Sequence, residues 1–217
     1  MVGTDSLPLE PTSFFFTCGT LICTPRGDVS VDRLRVGDTV LTATGNIQSI
    51  VWVELRSVIC DDTTSPVRVR AGAFGNDLPR RNTYIPPKYT VLVGADMDNT
   101  GGVLVPMTSL INGTTITREA CASVTYCHLK IAVRDILLVE GLPIEGTASR
   151  RDAFEATASK LISEGPDYVA LGWIGSDRPI VLSGPLVEAE RGRLEAAFAA
   201  SLCQQCEWDA DSFWMAD

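Results

Sequence analysis

The stretch from Ser13 to Thr42, SFFFTCGTLICTPRGDVSVDRLRVGDTVLT, restricts the architecture more than any other part of the chain. It reads as a strand, a glycine turn, a second strand, a single helical turn over Val31 to Leu34, the turn Val36-Gly-Asp38 and a strand over Thr39 to Thr42. Thr44-Gly-Asn46 then signals a hairpin into the long β-branched run Ile47 to Ile59. Val67 to Arg70 alternates apolar and basic residues, as a half-exposed strand does. Gly72 to Pro87 reads as loop, with Gly75-Asn76-Asp77, Pro79 and Pro86-Pro87 inside it. Further strands are predicted at Tyr89 to Val93, Val103 to Val105, Ser123 to Ala132 and Asp135 to Val139, with Asp96 to Gly102 as a hairpin tip. Many short strands at close spacing predict a mainly β module, a sandwich or another compact all-β form.

The pattern changes after Gly141-Leu-Pro143. Ser149 and Asp152 open a helical pattern carried by Phe154, Ala158, Leu161 and Ile162, which Gly165-Pro166 ends. Val169 to Ile174 and Pro179 to Leu182 read as a hairpin about Gly175-Ser-Asp177. Pro185 suits the first turn of a second helix, with Val187, Leu194, Phe198 and Leu202 as its buried stripe. An acidic tail follows from Glu207. The expected division is a lead-in over 1–13, a β domain over 14–147 and a small α/β extension over 148–217.

Composition narrows the functions. Across 217 residues, 27 acidic side chains outnumber 18 basic ones, a formal charge of −9. That balance disfavours nucleic acid and anionic membranes as partners; a protein partner is the remaining macromolecular class. Arg68, Arg70, Arg80 and Arg81 cluster locally, as expected of a solvated face with ion pairs. No basic n-region with an apolar run opens the chain, so a cytoplasmic location is the expectation. Seven cysteines, an odd number, with no secretion signal predict free thiols. Cys203-Gln-Gln-Cys206 has redox spacing but sits late in a helical pattern, where the helix dipole disfavours a thiolate. With a single histidine, no zinc ligand set is legible; no metal or cofactor is expected.

Five pieces in order carry a family resemblance: FTCGTLI; VDRLRVGDTVLT; SPVRVRAGAFGNDLPRR; LVPMTSLING; and VTYCHL with ILLVEGLPIE. The resemblance they carry covers roughly Phe14 to Glu145. The chain thereby resembles the hedgehog/intein (Hint) self-processing family, in its bacterial branch. The resemblance implies a β-horseshoe fold and, in active members, cleavage by an N-to-S acyl shift. A thiol or hydroxyl attacks the carbonyl just before it, a proton donor assists the amide nitrogen, and the oxyanion is stabilised.

The resemblance also assigns positions. The family opens Cys-Phe-x-x-Gly-Thr; set on Gly19-Thr20, this puts Phe15 at the nucleophile position and Phe16 after it. Tyr89 falls where a first histidine is expected. His128, in Tyr126-Cys-His128, keeps a second, and Asp135 replaces a third after Arg134. The scaffold is thus implied without its reactive atom, leaving a domain inactive in splicing and cleavage that serves as a scaffold or binding module. Two alternatives stay open. One is residual autoproteolysis with Cys18 as nucleophile, assisted by His128 and Asp135, releasing residues 1–17. The other is thiol-redox chemistry at Cys203 and Cys206.

Overall fold

Alternating apolar residues and left-handed turns explain most of the observed elements. The structure is a computed structural model that describes residues 12–96, 101–146 and 178–214, with side chains described for 13–96, 101–146 and 178–200. In chain order the strands are β1 (Thr12–Thr17), β2 (Leu21–Thr24), β3 (Gly27–Ser30), β4 (Thr39–Leu41), β5 (Ile47–Ile59), β6 (Val67–Val69) and β7 (Thr83–Ile85). They continue as β8 (Thr90–Ala95), β9 (Gly101–Pro106), β10 (Ile116–Arg118), β11 (Ser123–Ile131), β12 (Leu137–Val139) and β13 (Leu142–Glu145). Short 3-10 turns occupy Val31–Arg33 and Met107–Leu110, and one long helix, α1, spans Pro185–Trp214.

Three sheets result among the described residues: β1-β11-β5-β4, β10-β6-β7 and β3-β2-β12-β13-β8-β9. Every strand pair in them is antiparallel. One core joins the sheets. Phe14 and Phe16 from β1, Cys127, Leu129 and Ile131 from β11, and Val91, Val105, Val139 and Ile144 all bury within it. Alternation along β11 sends Cys127, Leu129 and Ile131 to that core and leaves Tyr126, His128 and Lys130 on the other face.

The turns follow their residue types. In the Val36-Gly37-Asp38 turn, Gly37 takes φ +92°, and its N–H donates to the Ile50 carbonyl at 2.8 Å while Ile50 N–H donates to Asp38 O at 2.8 Å. Between β12 and β13, Glu140 and Gly141 sit at φ +50° and +87°. Two successive positive φ values form the tight turn that matches strand twist. Gly141 is further confined, because an added Cβ would lie 2.4 Å from Leu78 Cδ2.

The first turn, the β4–β5 hairpin and the limits of β5 lie where the sequence places them. Three strands do not. β7 lies inside the predicted loop 72–87, because Pro86 ends it too early for a visible repeat and its stability comes from pairing with β6. β10 is only three residues long and likewise takes its support from β6. β13 falls at Leu142–Glu145, where Pro143 argues against a strand, yet it sits between β12 and β8. Helix α1 begins at Pro185 as expected, with Val187 and Leu194 buried. It then continues through the expected acidic tail to Trp214. Arg191 Nε donates to Ser109 O at 2.7 Å, and the Arg70 guanidinium lies 5.1 Å from the Phe198 ring centre, so its first half is tied to the β domain. Residues 179–181 add to the edge of β9 through a parallel Leu104–Ile180 bridge. Residues 1–11 of the predicted lead-in over 1–13, the helix after Ser149 and most of the 169–182 hairpin lie outside the described residues.

Candidate functional site

Strand β1 runs antiparallel to β11 in a register that sets Phe15 opposite His128, Phe16 opposite Cys127 and Thr17 opposite Tyr126. The Phe15 ring stacks on the His128 imidazole, with centres 4.1 Å apart and planes inclined by 12°. It also meets the Tyr126 ring edge-on at 6.4 Å. Phe14 and Phe16 point the other way, into the core, where each meets the Tyr89 ring edge-on. Tyr89 therefore lies on the core side of β1, and its hydroxyl reaches round the strand edge. There it accepts a hydrogen bond from the Phe15 backbone N–H.

Phe15 thus links the two other residues. Its ring covers His128 and its amide nitrogen binds Tyr89. The Tyr89 ring lies on the Phe14 and Phe16 side of β1 and the imidazole on the Phe15 side, so β1 runs between the two rings. Asp135 stands apart from them. Its carboxylate accepts from Thr44 Oγ1 at 2.7 Å and from the Ile136 N–H at 2.8 Å, which fastens the β4–β5 hairpin to the segment after β11. The neighbouring Arg134 pairs with the buried Glu145 at 2.9 Å.

Burial dominates the electrostatics of the cluster. Burial holds the Tyr89 phenol well above its ordinary pKa, against the opposing effect of the Phe15 N–H. Burial also raises Tyr126, with Cys60 and Cys121 nearby adding to the effect. The His128 imidazole is held below its usual value, first by burial and then by Lys130; Glu54 opposes this and Arg56 adds to it. Neither ring nitrogen of His128 has a hydrogen-bond partner among the described residues. Glu54 Oε2 approaches Nδ1 only to 3.9 Å, too far for a hydrogen bond.

Cys18 is exposed, and its Sγ lies 3.4 Å from Cys127 Sγ. Burial, then contact with Cys18, pushes the Cys127 thiol up to about 12. Because Cys127 and His128 project from opposite faces of β11, the Cys18 thiol sits across the sheet from the imidazole. The structure therefore brings Cys18 to Cys127, and does not bring it to His128 or Asp135. Cys203 and Cys206 fall within the backbone of α1, well past its N-terminus, and their side chains lie outside the described residues. Among the described residues no three of His, Cys, Asp and Glu converge to hold a metal ion.

Sequence reasoning missed one group that shapes this region. Glu140, almost fully buried, accepts the Leu21 N–H at 2.8 Å and pairs with Arg81 at 2.7 Å. Arg81 also donates to Gly19 O at 2.7 Å, so the ion pair holds the turn that follows β1. A glutamate before glycine in a strand-rich stretch carries no sign of this role. Arg81 in the sequence looks like any surface arginine.

Among solved structures the chain is similar to the MchDnaB-1 intein at 16% identity and TM-score 0.40, covering 61% of this chain and 99% of that one. It is similar to the bacterial intein-like domain from Clostridium thermocellum at 16% identity and TM-score 0.43, over 62% and 99%. The Msm DnaB1 intein splicing domain bound with zinc gives 15% identity and TM-score 0.43, over 61% and 99%. No curated protein matches the chain. The sequence model of the Hint domain matches residues 14–150, most of the chain and all but the first two residues of the three-sheet body described above. With its mainly β architecture, this chain belongs to the Hint domain family.

Proposed function

We propose that the chain is a Hint domain without self-splicing or self-cleaving activity, acting as a scaffold or binding module. One observation carries the reading. Cleavage at position 15 needs a nucleophilic side chain there and a proton donor at its amide nitrogen. The group in contact with that nitrogen is the Tyr89 hydroxyl, which accepts its hydrogen. The side chain at that position is a phenylalanine ring stacked over the one histidine of the chain. A phenol held above its ordinary pKa is a poor proton relay near neutrality. Aromatic packing has taken the place that reactive atoms would need.

The alternative, autoproteolysis from Cys18, needs its thiol beside an acid–base group. Its contact with Cys127 across the sheet from His128 speaks against that arrangement. No described helix is long and apolar enough to cross a membrane. We place the chain in the cytoplasm, which five free thiols among the described residues support.

Intact-mass measurement of the full chain, incubated with and without dithiothreitol, tests the proposal. A single species at the full mass is expected in both. Appearance of an 18–217 fragment would refute it.

A further inference from the structure

Strand β5 is thirteen residues long, and only its first part is covered on both edges. Ile47 to Leu41 and the two pairs beyond it join β4, and Ile50 exchanges bonds with Gly37 and Asp38. From Val51 to Ile59 the edge away from β11 meets no strand among the described residues. Just past the strand, Cys60 N–H donates to Ala122 O at 3.0 Å, towards β11. Backbone groups alternate along an antiparallel strand. Glu54, Arg56 and Val58 therefore address β11, while Val53, Leu55, Ser57 and Ile59 turn their N–H and C=O groups to the open edge. The side chains here are apolar and exposed: Trp52 at 50%, Leu55 at 65% and Ile59 at 86%. Such an edge is a template for another strand.

We propose that a second copy of this chain pairs with that edge, antiparallel, about a two-fold axis through Leu55. The sequence of β5 selects both partner and register. Directly opposed residues must both face the partner or both face away, so only residues of equal parity can oppose one another. Centred on Leu55, each Glu54 opposes the other copy's Arg56, so two opposite-charge pairs form. Val53 then opposes Ser57, Trp52 opposes Val58, and Leu55 opposes itself. The outward groups of Val53, Leu55 and Ser57 supply about six intermolecular backbone bonds. Trp52 with Val58 is a favourable aromatic and β-branched pair. A shift of the centre to Glu54 sets two carboxylates against each other, and a shift to Arg56 sets two guanidinium groups together. Centres at Val53 or Ser57 leave both charges without an opposite partner. Only the Leu55 register is complementary to itself, which is what an isologous two-fold contact requires. This inference is independent of whether the chain cleaves.

Sedimentation equilibrium of the full chain, over a micromolar concentration series, tests it. A reversible monomer–dimer equilibrium is expected. Arg56→Glu should raise the dimer Kd tenfold or more, about 1.4 kcal/mol. Adding Glu54→Arg to it should restore the original Kd, since the pairs then re-form with signs exchanged. Leu55→Pro removes an outward N–H without costing a bond to β11, and should leave a folded monomer. Circular dichroism melts confirm that each variant is folded. A chain that stays monomeric throughout the series overturns the proposal, the charges then serving to guard a solvated edge. A dimer indifferent to Arg56→Glu or to Leu55→Pro overturns it equally.

Discussion

Replacing Tyr89 with phenylalanine isolates the contact on which the site depends. The ring is buried to 2% exposure and packs edge-on against Phe14 and Phe16. Tyr89→Phe keeps that packing and deletes only the oxygen that accepts the Phe15 N–H. A buried donor left without its acceptor costs about 1–3 kcal/mol. Phe15 is only half-buried, so water at the strand edge recovers part of this and the expected loss is about 1–2 kcal/mol. For a chain of this size that corresponds to a fall in Tm of roughly 2–8 °C. Urea denaturation gives the free energy, and amide hydrogen exchange at Phe15 gives the location. Exchange there should accelerate more than at Phe14 or Phe16, whose amides lie on the alternate side of the strand. Tyr89→Ala, which also removes the ring, should cost about 3–5 kcal/mol. A Tyr89→Phe change below about 0.5 kcal/mol, the range of an uninvolved surface substitution, would refute the reasoning. So would unchanged exchange at Phe15.

Three further outcomes are expected. If position 15 and Tyr89 occupy the reactive places, Phe15→Cys with Tyr89→His should release a 15–217 fragment under dithiothreitol. It should do so about 100-fold faster than Phe15→Cys alone, the lower range for a positioned acid–base group; a folded double variant that stays intact contradicts the assignment. Glu140→Ala should destabilise the fold by about 2–3 kcal/mol, because the Leu21 N–H loses its acceptor and Arg81 its partner. Glu140→Gln, which can still accept from Leu21, should cost less, and equal losses in urea denaturation would argue against the hydrogen bond. As the one histidine of the chain, His128 gives an unambiguous proton NMR titration, and its midpoint should lie below the ordinary ~6.5. The unfolded chain then takes up this proton first, so the stability owed to neutral, buried His128 is complete above ~6.5 and declines as pH falls towards the folded midpoint. A midpoint at or above ~6.5 would show that burial does not govern the ring.

The elements legible in the sequence are those whose cause is local. Gly37 and the Thr44-Gly-Asn46 hairpin carry their turn chemistry in their own residues, and β5 announces itself by thirteen residues of β-branched pattern. β7, β10 and β13 were hidden because their support comes from neighbours distant in the chain. Pro143 is tolerated in β13, although proline is a poor strand former. The length of α1 has a related cause. Glu207 to Trp214 looks acidic and irregular as a pattern, but alanine, glutamate and tryptophan do not break a helix already nucleated upstream.

The site shows the same division more sharply. The resemblance names its positions one by one, while their arrangement depends on which side of a strand each residue faces. Residues Phe15 and His128 are paired by the β1–β11 register, so their side chains share a face and stack. Cys18 follows Phe15 by three residues, close enough in sequence to look like a substitute nucleophile. Just past the end of β1, its thiol instead meets Cys127, one residue from His128 along β11 and on the opposite face. A single position along a strand therefore separates a thiol that could be assisted by the imidazole from one that cannot. Cleavage in this fold requires a nucleophile on the His128 face with a proton donor at its amide nitrogen; position 15 has the face and the contact with residue 89, and Phe15→Cys with Tyr89→His would supply the two groups.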